Sequence, residues 1–183
     1  FKTDYYESAA PFTAKPGHFA PKHDGKTMKL RAVHDFMGLT LESYETLYFS
    51  EDFNKGLCES VALERTLNKL EDDGKLIERV VTVCPDRTIP APLAKVLKTD
   101  KIEYQEILTY HRGKFIGQWK TVPPFMSEKF LASGEFRFEA IDGGVRRIME
   151  GDITVKIFGV GGLAEKVIVS EVEASYDRAA EFT

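Results

Sequence analysis

The chain has 183 residues, 43% hydrophobic and 30% charged, which is ordinary for one folded domain with a substantial core. A formal net charge of -4 and a pI near 5.7 argue against a nucleic-acid partner, because such binding needs clustered cations. No apolar run approaches the roughly 20 residues of a membrane span, and the polar start carries no secretory signal, so we expect a cytoplasmic protein.

The first 27 residues differ from the rest of the chain. Pro and Gly punctuate them, no hydrophobic period persists, and several aromatic residues are interspersed. This pattern predicts an irregular arm over residues 1–27, followed by one domain over residues 28–183. His18 and His23 lie in the arm, but two histidines five apart in a loop are weak evidence for a metal. We therefore predict no metal site and no cofactor.

The domain is predicted to begin with a strand and two short helices. In the strand Lys29–Met37, Leu30, Ala32, His34 and Phe36 share one face. Thr40 and Ser50 have the chemistry of helix N-caps, and each precedes a short segment of helical periodicity.

Alternating hydrophobicity and Gly-containing turns predict six more strands. They are Ser60–Leu70, Lys75–Cys84, Ile102–His111, Lys114–Val122, Phe130–Ile141 and Arg147–Ile157. The short turns between most of them favour an antiparallel sheet. Gly117, Gly134 and Gly151 are predicted to bend the sheet or to form bulges.

The period changes from two to helical after Phe158. A long amphipathic helix is predicted over roughly Gly162–Phe182. Its apolar stripe contains Ala164, Ile168, Val172, Tyr176 and Ala179. Because this stripe must be buried, the helix is predicted to pack on the sheet in an α+β fold.

Several stretches follow the pattern of a known family: Met28–Leu30, Ile89–Leu93, Gly143–Arg147, Gly151, Val155–Lys156, Val160–Gly162, Glu165–Lys166 and Ala180–Thr183. Through these residues the chain resembles the START-like (SRPBCC, helix-grip) superfamily over about residues 28–183, and most closely a bacterial START-like family of unassigned function. The resemblance implies a curved, antiparallel, seven-stranded sheet gripping a long C-terminal helix. It also implies an internal cavity of the kind that holds sterols, other lipids or polyketides.

Large apolar side chains in alternating positions are the candidate ligand contacts. They are Tyr104, Leu108, Phe115, Trp119, Phe136, Phe138 and Met149 on the strands, with Leu163 and Val167 on the last helix. Such residues can line a pocket that binds by apolar burial, and they can equally fill a closed core. The cavity entrance is predicted to be bordered by residues 89–97, 160–162 and 47–53, because long loops often act as lids.

No catalytic motif of high specificity is present, so no catalytic residue is predicted. Glu106 is in phase with Tyr104 and Leu108, which fits either a cavity carboxylate or an exposed strand face with a break in register. His34 and Asp35 are neighbours on a strand and point to opposite faces, so they are not a catalytic pair.

Four further polar or thiol residues have unremarkable predicted roles. Arg65 and Arg79 interrupt apolar strands and are predicted to be solvated or paired. Cys58 and Cys84 are predicted to be buried thiols, and a disulfide between them stays open.

These observations favour a non-catalytic carrier or sensor of a hydrophobic ligand, such as a lipid or sterol, with at most transient membrane contact. An aromatase/cyclase-type enzyme acting on a polyketide-like substrate is the alternative, and it would need a positioned acid or base. A protein-interaction module with a collapsed cavity is the third possibility.

Overall fold

The computed structural model describes residues 27–86, 101–124, 130–156 and 161–183, together with Ala91, Ala94 and Thr99. Within the last helix, the side chains of residues 161–165, 167–168 and 171 are not described. The predicted arm, with its two histidines, and most of residues 89–97 lie outside the described residues. The predicted domain boundary therefore stays a prediction.

Seven strands and three helices make up the described fold. In chain order they are β1 (Met28–Met37), α1 (Leu41–Phe49), α2 (Glu51–Ser60), β2 (Leu63–Asp72), β3 (Leu76–Pro85), β4 (Tyr104–His111), β5 (Ile116–Val122), β6 (Phe130–Ile141), β7 (Gly144–Val155) and α3 (Gly161–Phe182). The strands form one antiparallel sheet in the order β1-β7-β6-β5-β4-β3-β2. The predicted α+β architecture is confirmed.

Both predicted helix caps are present. Thr40 Oγ1 accepts a hydrogen bond from the Ser43 amide at 3.2 Å, and Ser43 Oγ accepts one from the Thr40 amide at 2.8 Å. Ser50 Oγ accepts from the Phe53 amide at 3.3 Å. These bonds satisfy amides that a helix start leaves unpaired, so α1 and α2 begin where the sequence places them.

Several predicted boundaries are wrong by a few residues. Ser60 belongs to α2 rather than to a strand, and Ala62, with a φ of 53°, turns the chain into β2. Phe115 lies in the β4–β5 turn with a φ of 56°, not in a strand. β7 begins at Gly144 rather than at Arg147, because it pairs with β6 along its whole length.

The interior glycines make room for aromatic rings. A Cβ on Gly151 would lie 2.5 Å from the Trp119 ring, and one on Gly117 would collide with the Phe136 ring. Strand pairing passes through Gly117, Gly134 and Gly151 without a shift in register. The expectation of bulges at these positions is therefore wrong, and close ring packing is the reason for glycine at two of them.

An aromatic cluster fills the space between α1 and the sheet. Tyr44 stacks on Phe36 with ring centroids 4.8 Å apart and meets Phe138 edge-on, also at 4.8 Å. Tyr110 and Phe136 have no exposed surface, and their stacked rings lie 5.6 Å apart. Edge-on and offset contacts of this kind add to the stabilisation from apolar burial alone.

The C-terminal helix lies across the other part of the same face, over β1 and β7. Its described inward residues are Val169, Val172, Tyr176 and Ala180. Val172 and Tyr176 confirm two positions of the predicted stripe, whereas the side chains of Ala164 and Ile168 lie outside the described residues. The helix and the sheet thus enclose the inner face on which the candidate site lies.

Candidate ligand-binding site

The predicted ligand contacts separate into two groups in the structure. The buried group is Leu108, Trp119, Phe136, Phe138 and Met149. Tyr104 and Phe115 retain accessible surface, and the side chains of Leu163 and Val167 lie outside the described residues. Contact between any of these residues and a ligand stays a prediction.

Three tyrosines that influence this part of the molecule lie on three different elements: Tyr48 at the end of α1, Tyr104 on β4 and Tyr176 on α3. Burial raises the pKa of all three hydroxyls, and the Glu106 carboxylate adds to each rise. Each tyrosine nevertheless keeps part of its surface accessible. Side chains that are surrounded by protein and still accessible are expected where an internal space is incompletely filled.

Glu106 joins these tyrosines to a buried arginine on the neighbouring strand. Arg79 Nη2 donates to Glu106 Oε1 at 3.3 Å, and the Arg79 side chain is 6% exposed against 28% for Glu106. The Arg79 guanidinium carbon also lies 6.0 Å from the ring centroid of Tyr48 and 5.7 Å from that of Phe49. We call Tyr48, Arg79, Tyr104, Glu106 and Tyr176 the inner polar cluster.

The pairing of Arg79 is incomplete. Its Nε and Nη1 atoms are buried and have no hydrogen-bond partner. A buried polar group without a partner costs about 1–3 kcal/mol, and a charged one costs more. An occupant that brought oxygen acceptors to these two nitrogens would remove that cost, so the cluster has the chemistry of a polar anchor.

A second buried arginine stands at the other end of the inner face. Arg147 on β7 donates from Nη2 to His34 Nδ1 at 3.2 Å, and His34 Nε2 lies 2.9 Å from Asp177 Oδ1 on α3. Because a guanidinium only donates, Nδ1 accepts and the ring hydrogen resides on Nε2, where Asp177 accepts it. This relay ties α3 to β1 and β7, and its outer end opens on a shallow cleft beside Ala180.

Sequence reasoning found part of this site and missed the rest. Glu106 lies on the inner face, and β4 pairs with both neighbours without a shift, so the reading as an exposed strand face is wrong. Arg65 and Arg79 are both paired, as predicted, Arg65 with Glu51 at 2.9 Å. The sequence analysis did not identify Arg147 as a site residue. Its alternation in phase with Met149 and Gly151 was the signal that could have placed it on the inner face.

The cysteines and metal candidates carry no site in the described part of the chain. Cys58 and Cys84 are free thiols and only partly buried, which corrects the expectation of full burial. Among the described residues, no three His, Cys, Asp or Glu side chains are grouped so as to hold a metal ion. No described helix is long and apolar enough to cross a membrane.

Solved structures with the same architecture are recognisable at low sequence identity. TTHA0849 from Thermus thermophilus is 15% identical with a TM-score of 0.60, over 85% of this chain and 96% of that one. The ZhuI aromatase/cyclase from Streptomyces sp. R1128 is 10% identical, with a TM-score of 0.58 over 86% and 91%. Ara h 8.0201 is 8% identical, with a TM-score of 0.55 over 86% and 97%. At these identities the likeness shows the fold alone.

The fold is therefore that of the helix-grip, START-like (SRPBCC) proteins, as the resemblance implied. A family model described as protein of unknown function (DUF2505) matches residues 35–183, and the chain belongs to that family. A search of curated proteins finds no match.

Proposed function

We propose that this protein binds a hydrophobic small molecule, of the lipid or sterol class, between the curved sheet and α3. The observation that carries the proposal is the partial accessibility of Tyr48, Tyr104 and Tyr176 in an enclosed position. The START-like resemblance, which implies a hydrophobic cavity in the same place, supports it. The function is transport or sensing of this ligand, in the cytoplasm and with at most transient membrane contact.

Apolar side chains that are only partly buried suit such a ligand. Phe49, Phe115, Phe130 and Val172 are partly buried, and each packs against the closed core. Filling the space would bury their remaining surface at about 25 cal/mol per Å² of apolar area. Few polar groups among many apolar ones is the usual composition of a site for a small hydrophobic molecule.

An enzyme of the aromatase/cyclase type is the second candidate, and Glu106 is the observation that favours it. Its negative charge raises the pKa of three tyrosine hydroxyls, so one candidate acid or base acts electrostatically on several hydrogen-bond donors. The test is turnover of a polyketide-like substrate by wild type and by Glu106→Gln. Turnover that Glu106→Gln abolishes, with the circular dichroism spectrum unchanged, would establish the enzyme and displace the carrier.

Native mass spectrometry of the purified protein, followed by solvent extraction, tests the carrier directly. We expect an adduct of lipid mass that extraction removes. We also expect Trp119, which is the single tryptophan of the chain, to change its fluorescence when ligand is added back. A protein that copurifies with no small molecule and displaces no fluorescent lipid probe would instead be the interaction module with a collapsed cavity.

A further inference from the structure

The buried charges of the inner face do not balance. Among the described residues, the buried charged side chains are Arg79, at 5% exposure, and Arg147, at 4%. No carboxylate in the described ranges is equally buried. Proteins seldom bury ionised groups without a counter-charge, so two buried guanidinium groups without an equally buried carboxylate beside them call for an explanation.

The partners of the two arginines leave the excess positive charge in place. Arg79 has one carboxylate partner, Glu106, through one nitrogen. Arg147 makes no ion pair with any described carboxylate, and its polar contacts are with His34 Nδ1 and the Tyr44 hydroxyl. Arg65 provides the contrast, since two of its nitrogens contact the two carboxylate oxygens of Glu51.

Unused donors lie on the same two side chains. Arg79 Nε, Arg79 Nη1 and Arg147 Nε are buried and without a hydrogen-bond partner. Both arginines also act on the hydroxyl of Tyr48, where each opposes the rise in pKa that burial causes. The positive potential of β3 and β7 therefore converges beside α1, within the space enclosed by sheet and helices.

We propose that the ligand carries a carboxylate, and that Arg79 binds it through the nitrogens that Glu106 leaves free. The inference rests on the proposed function and narrows its ligand to an acidic amphipath, such as a long-chain fatty acid. Arg147 adds positive potential from β7 and acts as a positioning residue. A neutral alcohol or sterol offers an acceptor oxygen but no charge, so it leaves the imbalance uncorrected.

A matched series of ligands tests the charge. Hexadecanoic acid, its methyl ester and hexadecanol share one chain and differ at the head group, and each is titrated against a neutral fluorescent lipid probe near neutral pH. Wild type is expected to bind the acid about tenfold more tightly than the alcohol, the ratio that one charge-assisted hydrogen bond supplies. Equal affinity for acid and alcohol would overturn the inference and leave the carrier function standing.

Variants assign the effect to Arg79. The double variant Arg79→Gln/Glu106→Gln removes both charges together, so that no carboxylate is left without its partner. It is expected to lose the preference for the acid, so that the ratio of hexadecanoic acid affinity to hexadecanol affinity falls to about one. Arg79→Lys keeps the charge and should keep a preference, and Arg65→Gln, which alters a paired arginine, should leave it unchanged. A double variant that retains the preference overturns the assignment.

The two hypotheses fail in different ways. If the neutral lipid probe does not bind, and native mass spectrometry finds no adduct with hexadecanoic acid, the carrier function itself is refuted. If all three bind without regard to the head group, only the carboxylate is refuted. Thermal unfolding of every variant is measured alongside, and binding is compared only among variants whose melting temperatures match wild type.

Discussion

The inner face of the sheet has two differently packed regions, one beneath α1 and one around the inner polar cluster. Beneath α1, Tyr44, Tyr110 and Phe136 are at most 1% exposed and their rings are in contact with one another or with Phe138. Around the cluster, Tyr104 and Glu106 on the same strand β4 keep accessible surface. One strand thus carries closely packed residues near one end and partly accessible residues near the other.

The difference teaches that alternation predicts the inner face but not whether that face is filled. The alternating pattern is the same at both ends of β4. The inward positions 104, 106, 108 and 110 share one phase and differ only in how closely they are packed. Packing is decided by what stands opposite: α1 presents the Phe49 ring to Tyr110 at 4.7 Å between centroids, whereas Glu106 faces an incompletely paired arginine.

The largest expected effect is a loss of stability when a side chain of the closed region beneath α1 is truncated. Phe136→Ala removes a ring with no exposed surface that packs over Gly117, and it should lower the free energy of unfolding by about 3–5 kcal/mol. Urea denaturation followed by circular dichroism measures the change. Tyr104→Phe, which removes one hydroxyl from the open region, is the matched control and should cost far less. Equal losses would mean that the two regions are packed alike.

A smaller effect is expected from filling the open region. Val172 on α3 is partly buried, so Val172→Phe should occupy space that a ligand would otherwise take and weaken binding about tenfold, or about 1.4 kcal/mol. The melting temperature should change little. If the space is already filled, overpacking would instead destabilise the fold by about 1–3 kcal/mol, and Val172→Ile would show the beginning of that loss.

The smallest expected effect lies outside both regions, at the ion pair between Asp72 and Arg112. Hydrogen bonds from Arg112 lower the pKa of Asp72, and the Gly74 amide lowers it further. Since the folded-state pKa lies below the ordinary 3.8, the stabilisation is complete above that pH and is lost as the pH falls through the folded-state value. Asp72→Asn should cost about 0.5–1 kcal/mol near neutral pH and nothing in strong acid, as acid titration of unfolding would show. A constant cost at every pH would contradict the assignment.

Most of the fold follows from local rules that the sequence displays. Thr40 and Ser50 carry cap chemistry, Gly143 and Gly74 supply positive φ values of 72° and 81° at hairpin turns, and alternation marks the strands. The START-like resemblance, in addition, predicted that the C-terminal helix packs on the sheet. The strand ends were less predictable, since the end of α2 and the length of β7 depend on tertiary pairing rather than on local propensity.

The site was harder to predict because its decisive groups break the alternation that reveals strands. Arg79 and Arg147 stand at inward positions where an apolar residue is expected, so each reads locally as an exposed or paired charge. Their meaning depends on partners far away in sequence: Glu106 for the first, His34 and Asp177 for the second. Spacing alone does not reveal which charges will be left without a counter-charge.

The place of β1 in the sheet has a consequence for folding. Each of the strands β2 to β6 pairs with the next strand along the chain, whereas the single partner of β1 is β7, with Met28 opposite Ile153 and Met37 opposite Gly144. During synthesis, at about 5–20 residues per second, β1 emerges long before its partner exists. Closing that loop costs chain entropy that local contacts do not repay in advance, so docking of β1 is expected to be the slow step of folding. Until it docks, β7 is an open edge of the sheet.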